Sequence, residues 1–528
     1  MRMWLRELLA LALLVGGNSV TKVPLSEVLG LKALYDSTNG PEWTWLSASA
    51  GDVWDFTGNL SLANPCDNWQ GIDCTCISSM QQSGYYSFYY DDDDSYLSSS
   101  DCNIRKVYLS YYGLDGVLPS DFFTKLPYLT HLHLSGNNLY STVPSSISTL
   151  SNLHTLVIKR NALEGTLDVF SNLKSLQVFS FYGNYFSGSL SPLQELKDLV
   201  FIDTGYNLVS GTIEPLANLV NMQHLALTYG YLDGELHYLS NLTSLRQLYV
   251  GLNYFEGNLS VLSNMPTLNA IAAQGNLLTG DLSGLRDLVD LTYLSLYRNQ
   301  LSGSLSYLQS LNRLYHIDLF TNAITGSLAP LSGLASMTYL DVACNSISGT
   351  LEPLSSLVLL KSLYLNYNEL MGPLSPGIEG MTSLQTLWLF NNYLSGDLQA
   401  FSDLTSLEKI VIYYNSLTGS LAPLSGLTSM TYLDVAYNSI SGTLEPLSSL
   451  VLLKSLYLNY NELTGPLSPG IEDMTSLQAL WLYGNALSGD LQALSDLTSL
   501  KSIILYYNSL TGSLAPLSGL TSMTYLEG

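Results

Sequence analysis

A 23-residue period that starts near Ile104 and runs to the last residue constrains this chain more than anything else in it. One cycle reads LTYLSLYRNQLSGSLSYLQSLNR, from Leu291 to Arg313, and its frame L-x-x-L-x-L-x-x-N-x-L-x-G-x-L recurs without interruption. The frame's Asn recurs from Asn137 to Asn508, and only Tyr112 in the first cycle and Gly230 in the sixth replace it. Eighteen complete cycles and one unfinished cycle result. A unit this short cannot bury its own apolar face, so neighbouring coils must stack into a solenoid with one shared core.

The chemistry of a cycle is readable. In Leu291-x-x-Leu294-x-Leu296 alternate residues point inward from a short strand, which leaves Thr292, Tyr293, Ser295 and Tyr297 toward solvent. Asn299 follows where the chain turns; its amide both donates and accepts, so stacked copies form a ladder that satisfies the turn backbone. Gly303 permits a tight bend, and Leu305, Leu308 and Leu311 refill the core from the outer side.

Ahead of the repeats, residues 1–19 read as a secretory signal, with Arg2 and Arg6, the apolar run Leu8 to Val15, and the small residues Gly17-Asn18-Ser19. Residues 20–103 form a non-repetitive cap, which a solenoid needs to cover its first coil. There Ser26 is expected to N-cap an amphipathic helix carrying Val28, Leu29, Leu31, Leu34 and Tyr35, ended by Asn39-Gly40. Trp43, Trp45, Trp54 and Trp69 promise a small aromatic core. Cys66, Cys74, Cys76 and Cys102 cluster in this segment, after a signal, and so read as disulfides. Of the three possible connectivities the pairing Cys66–Cys74 with Cys76–Cys102 is preferred, and zinc is the weaker alternative because the spacing is irregular and no His is near. The insertion 77–101, rich in Ser, Tyr and Asp, reads as a flexible acidic loop; Asp91 to Asp94 lack the spaced pattern of a calcium loop. The repeats then occupy 104–528.

Charge excludes one class of partner. With 43 Asp and Glu against 19 Lys and Arg, a net charge of -24 leaves no phosphate-binding surface, so nucleic acid is not a partner, and anionic membranes or acidic glycans are repelled. No G-x-S-x-G, phosphate-cradling Gly loop, G-x-G-x-x-G or H-E-x-x-H occurs. The chain is therefore read as no enzyme, with no cofactor and no metal site.

The repeat frame resembles the plant-type extracellular class of the leucine-rich repeat family. The L-x-G-x-L element carries that resemblance, most fully in Leu114-Asp115-Gly116-Val117-Leu118-Pro119. The cap resembles the family's N-terminal cap in Ala33-Leu34-Tyr35, Thr38-Asn39-Gly40, Trp43 and the run from Pro65-Cys66-Asp67-Asn68-Trp69 to Cys74. In that motif the two Cys pair with each other, which the resemblance carries to Cys66–Cys74. The implied fold is an α/β leucine-rich repeat solenoid, a curved right-handed superhelix with parallel strands on the concave face and a small disulfide-containing helical cap. The implied roles are receptor ectodomain, adhesion protein or inhibitor of foreign wall-degrading enzymes. Two features depart from the family's pattern: most cycles lack the Pro after L-x-G-x-L, and the insertion with Cys76 and Cys102 is additional.

Candidate ligand-binding residues come from the strand positions that face away from the core: Tyr293, Tyr297, His316, Asp318, Phe320, Asp341, Tyr364, Trp388, Phe390, Tyr413, Tyr457 and Trp481. Rings with polar tips offer apolar area at low entropic cost, although aromatics are also good strand residues. Asp318 and Asp341 share a column on adjacent strands, close enough to hold a cation or share a proton. An internal duplication argues against a metal there. Residues from 326 onward reappear 93 positions later, where Asp341 becomes Asp434 but Asp318 corresponds to Val411. His131 and His133 lie on one strand and read as solvated. Sequons at Asn59, Asn241 and Asn258 are candidate glycosylation sites.

The expected role is a secreted or cell-surface recognition protein that binds a peptide, protein or glycan on its concave or lateral surface; a structural spacer is the alternative. The nineteenth cycle stops in mid-coil at Met523-Thr524-Tyr525-Leu526-Glu527-Gly528, so a longer protein is expected, with a membrane anchor possible beyond it.

Overall fold

The computed structural model describes residues 23–76 and 102–527. The signal segment and the acidic insertion 77–101 lie outside the described residues. The chain divides into two compact units, 1–232 and 233–528.

The first unit begins with helix α1, Leu25–Ser37. Ser26 does not cap it. Pro24 is the N-cap residue, and its carbonyl accepts from the N–H groups of Glu27 and Val28. Proline's missing N–H and fixed φ suit that boundary, so the helix starts two residues earlier than a Ser26 cap implies and Ser26 lies within its first turn. Val28, Leu31 and Leu34 are buried, while Leu29 and Tyr35 are half-buried. At the other end Asn39 adopts a left-handed φ of 56° just past the C-cap Thr38.

An aromatic cluster fills the cap. Trp43 contacts Tyr35, Trp45 and Trp54 at ring separations of 5.2–5.4 Å, and Trp54 stacks on Trp69 at 5.8 Å. Both buried indoles are satisfied: Trp43 Nε1 donates to Thr38 O at 2.8 Å and Trp54 Nε1 to Gln70 O at 2.9 Å. The disulfides are Cys66–Cys74 and Cys76–Cys102, which removes zinc as an alternative. Strand β1, Ile72–Cys76, pairs antiparallel with β2, Cys102–Tyr108, and so covers the free edge of the first repeat strand. Tyr112, where the ladder Asn is missing, packs its ring 5.8 Å from Trp45. The first coil is joined to the cap by an aromatic contact where later coils use an amide.

Glu27 ties α1 to the repeats. Its side chain is 1% exposed, yet Oε2 accepts the Ile104 N–H at 2.7 Å. Burial pushes its pKa from 4.5 up to about 7, against the opposing pull of that bond and of Arg105. The raised value means that stability from this group is fully present below its unfolded pKa and is lost as pH rises through about 7. Glu27→Gln, which keeps an acceptor without the charge, is expected to stabilise the protein by about 1 kcal/mol near pH 8 and to change little near pH 5. Thermal melting at the two pH values checks this; equal shifts at both would show that the folded carboxyl titrates no higher than an unfolded one.

From β2 onward the strands His131–His133, Thr155–Val157, Val178–Ser180, Phe201–Asp203 and His224–Ala226 pair in parallel, each in register with the last. A second row of short parallel strands follows the turn, among them Asn138–Thr142, Ala162–Thr166 and Tyr185–Gly188. The period-2 reading of the first six frame positions did not anticipate this row, because S-G-S-like segments have little strand character of their own.

The second unit repeats the pattern from Gln247–Tyr249 to Tyr525–Glu527, all parallel and in register. Leu291, Leu294, Leu296, Leu305, Leu308 and Leu311 are all fully buried, as the frame requires. Gly303, at φ 76°, lies inside the second-row strand Ser302–Ser304. The outer return is made of 3-10 turns such as Leu305–Leu308. Each ladder amide clamps two coils: Asn299 Nδ2 donates to Ala273 O at 3.0 Å and Leu296 O at 2.9 Å, while Oδ1 accepts from Leu278 N at 3.1 Å. The residue before the ladder Asn is held left-handed, for example Arg298 at 53°, Thr321 at 56° and Tyr437 at 52°. Only a turn fixed by its neighbours sustains that in non-glycine residues, at a cost of about 1–2 kcal/mol each.

Candidate recognition face

The strand residues between the two inner Leu of each frame come into one column. In the second unit Tyr249, Ala272, Ser295, Asp318, Asp341, Tyr364, Trp388, Val411, Asp434, Tyr457, Trp481 and Ile504 are successive register partners. Most are half-buried and Trp388 is 37% exposed. Ser295 is not turned to solvent as expected. It is 2% exposed, because a short side chain among large ones is closed over by its neighbours. Phe390 is buried too, with its ring 4.4 Å from Tyr413 and 5.2 Å from Tyr367.

Aromatic contacts tie the candidates into a row. His316 is stacked between Tyr293 at 4.4 Å and Tyr339 at 4.3 Å. Tyr339 touches Tyr364, which meets Trp388 edge-on at 5.2 Å, and Trp388 leads on to Phe390. Further along, Tyr432, Tyr457 and Trp481 form a second run, with separations of 5.5 and 4.8 Å. Tyr297 and Phe320 are half-buried on the same coils as Tyr293 and His316. Sequence reasoning missed Tyr339 and Tyr432, which open their strands as the candidates Tyr293 and His316 do. The 93-residue correspondence that pairs them was the available signal.

The carboxyls are set by burial. Asp318 is pushed up to about 6 and Asp341 to about 7, the latter also by the charge of Asp318, its register partner. Asp434 rises to about 6 by burial alone. Each also has a structural task, since Oδ1 accepts a backbone N–H two residues on: Phe320 N to Asp318 at 3.2 Å, Ala343 N to Asp341 at 2.9 Å, and Ala436 N to Asp434 at 3.2 Å. Burial between two rings drops His316 to about 4, so it is neutral near pH 7. Among the described residues no group of three or more His, Cys, Asp and Glu is placed to hold a metal ion. The face can therefore offer ring surfaces and hydrogen-bond acceptors.

In the first unit His133 is half-buried, with its ring 4.7 Å from Tyr108, and His131 Nδ1 lies 2.9 Å from Thr130 Oγ1. The sequon residues Asn59, Asn241 and Asn258 are all exposed. Asn59 and Asn258 already use Oδ1 to accept the N–H of Ser61 and Ser260. Among the described residues no helix is long and apolar enough to cross a membrane.

Comparison with known proteins agrees with this architecture. The Leucine Rich Repeat family model matches residues 128–150 and 452–474. No curated protein matches the chain. Among solved structures, PEPR1–AtPEP1 is 24% identical with a TM-score of 0.75, covering 95% of this chain and 75% of that one. The Arabidopsis receptor kinase HAESA, in complex with the peptide hormone IDA and the co-receptor SERK1, is 24% identical with a TM-score of 0.74, covering 95% and 89%. A TDR receptor is 24% identical with a TM-score of 0.69, covering 79% and 83%. Taken with the register of the strands, the ladder and the two cap disulfides, these likenesses make the chain a leucine-rich repeat solenoid with a disulfide-containing N-terminal cap, similar in fold to plant receptor ectodomains.

Proposed function

We propose that the protein is a recognition module whose strand face in residues 293–483 captures an extended ligand, a peptide, protein or glycan, outside the cell. The observation that carries this reading is the two runs of partly exposed rings, with half-buried carboxyls among them, on one row of parallel strands, where a core needs neither. Large rigid rings bind well because they give up little rotamer freedom. The likeness to HAESA, which is solved with a peptide hormone, supports a polymeric ligand. Two cap disulfides support an oxidising, secreted or cell-surface location.

A structural spacer is the second reading, and it draws on a different row. Tyr414, Tyr437, Tyr460, Tyr483 and Tyr506 contact one another in sequence at 4.2–5.2 Å, so their faces are largely used by each other. Screening the chain on peptide and glycan arrays separates the two. A captured ligand that is lost with Tyr364→Ala plus Trp388→Ala, at unchanged melting temperature, is the expected result; no ligand on any array favours the spacer.

A further inference from the structure

The strand face of the second unit carries the same constellation twice. Asp341, Tyr364, Asn366 and Trp388 correspond, 93 residues on, to Asp434, Tyr457, Asn459 and Trp481. The geometry is copied with the letters. Tyr364 meets Trp388 at 5.2 Å and 85°, and Tyr457 meets Trp481 at 4.8 Å and 75°. Asn366 and Asn459 stand two residues after the Tyr, just beyond the end of its strand. They are 5% and 3% exposed, and in both the side-chain Oδ1 has no hydrogen-bond partner among the described residues. A buried acceptor without a donor is disfavoured wherever it occurs, and here it recurs at the same place in both copies.

We infer that these are two equivalent subsites for one repetitive ligand, a linear neutral glycan laid along the strands. The inference rests on the recognition reading above and supplies its ligand class. Each subsite offers ring surface, a carboxyl and an amide oxygen in want of a donor, and no cation lies among its four residues, so the complementary group is rich in hydroxyl donors and carries no negative charge. The chain's net charge of -24 turns away acidic glycans in the same way. Burial raises both Asp carboxyls toward neutrality, which suits hydroxyls better than a fixed cation. Identical subsites need identical groups at a fixed spacing, which a homopolymer supplies by construction. Four strand spacings put the subsites about 19 Å apart. The copies differ at their edges: Asp341 has Asp318 as register partner where Asp434 has Val411, and Trp481 Nε1 donates to Ser502 Oγ at 3.1 Å where the first copy has Lys409.

The test is calorimetric titration of the full chain with glucan, mannan and xylan oligosaccharides of graded length. One of these series is expected to bind two short oligomers per chain, and to gain on the order of a hundredfold in affinity once an oligomer bridges both subsites. Trp388→Ala and Trp481→Ala, each folded as judged by melting, are each expected to leave one short oligomer per chain and to abolish the gain with length. Trp388→Phe and Trp481→Phe keep a ring and should retain much of it. Absence of binding by every series, or length-dependent binding that survives both alanine variants, overturns the inference. If peptides are captured instead, and lost with Tyr364→Ala plus Trp388→Ala, recognition by this face stands and the glycan assignment falls; if neither class binds, both fall.

Discussion

Asn368→Ala is expected to destabilise the second unit by roughly 2–5 kcal/mol and to open the coils around it before the rest. The amide donates to Val342 O and Leu365 O, both at 3.0 Å, and accepts from Ile347 N at 2.9 Å. Val342 O also receives Asn345 and Leu365 O also receives Asn392, so each carbonyl keeps one amide partner. Ile347 N loses its amide acceptor at a buried site, which is the costlier part. Because coils interact chiefly with their neighbours, the damage should spread locally, and one global unfolding energy is the wrong description. Hydrogen exchange should show faster exchange in residues 342–370 and little change near the cap. The duplication supplies an internal control. Asn461 makes the same three bonds, to Val435 O, Leu458 O and Ile440 N, each at 3.0 Å, so Asn461→Ala should cost about as much. A loss below about 0.5 kcal/mol in either variant would mean that the ladder does not hold the coils together.

Acidification should stabilise the second unit. Asp318, Asp341 and Asp434 have folded pKa values raised from 3.8 to about 6, 7 and 6. Folded chains therefore bind more protons than unfolded ones in this window. The contribution to stability is complete below 3.8 and is lost as pH climbs through 6 to 7. After allowance for partial exposure, the three together are worth on the order of a few kcal/mol between about pH 8 and pH 5. Melting temperature should rise over that change, and the rise should shrink in Asp341→Asn. A melting temperature that falls on acidification would show that these carboxyls stay ionised when folded.

How much of this was legible in sequence depends on whether one coil or several decide a residue's fate. The buried Leu frame and the Asn ladder follow from local pattern, and the structure places them accordingly; Gly303 takes a left-handed φ but within a strand instead of a bend. The cap disulfides and the four Trp were also readable, because the Cys and Trp cluster ahead of the repeats. The helix start was misassigned because Ser26 has the right side chain, but Pro24 already fixes the backbone there. Phe390 is covered by the rings of Tyr367 and Tyr413, each 23 residues away, so no local rule could bury it. Asn366 and Asn459 escaped notice because a polar residue just past a strand ordinarily meets water; only its neighbours close it off.

The central claim is that the strand face, and not the outer turns, captures the ligand. Equilibrium titration of whichever array ligand is captured, against three forms of the chain, tests it most directly. Tyr364→Ala plus Trp388→Ala should weaken binding on the order of a hundredfold or more. Val358→Ala plus Leu359→Ala, at 44% and 50% exposed residues of the outer return, should leave it within about twofold of the unaltered chain. The reverse pattern, with binding lost from the outer pair and kept in the strand-face pair, would contradict the account.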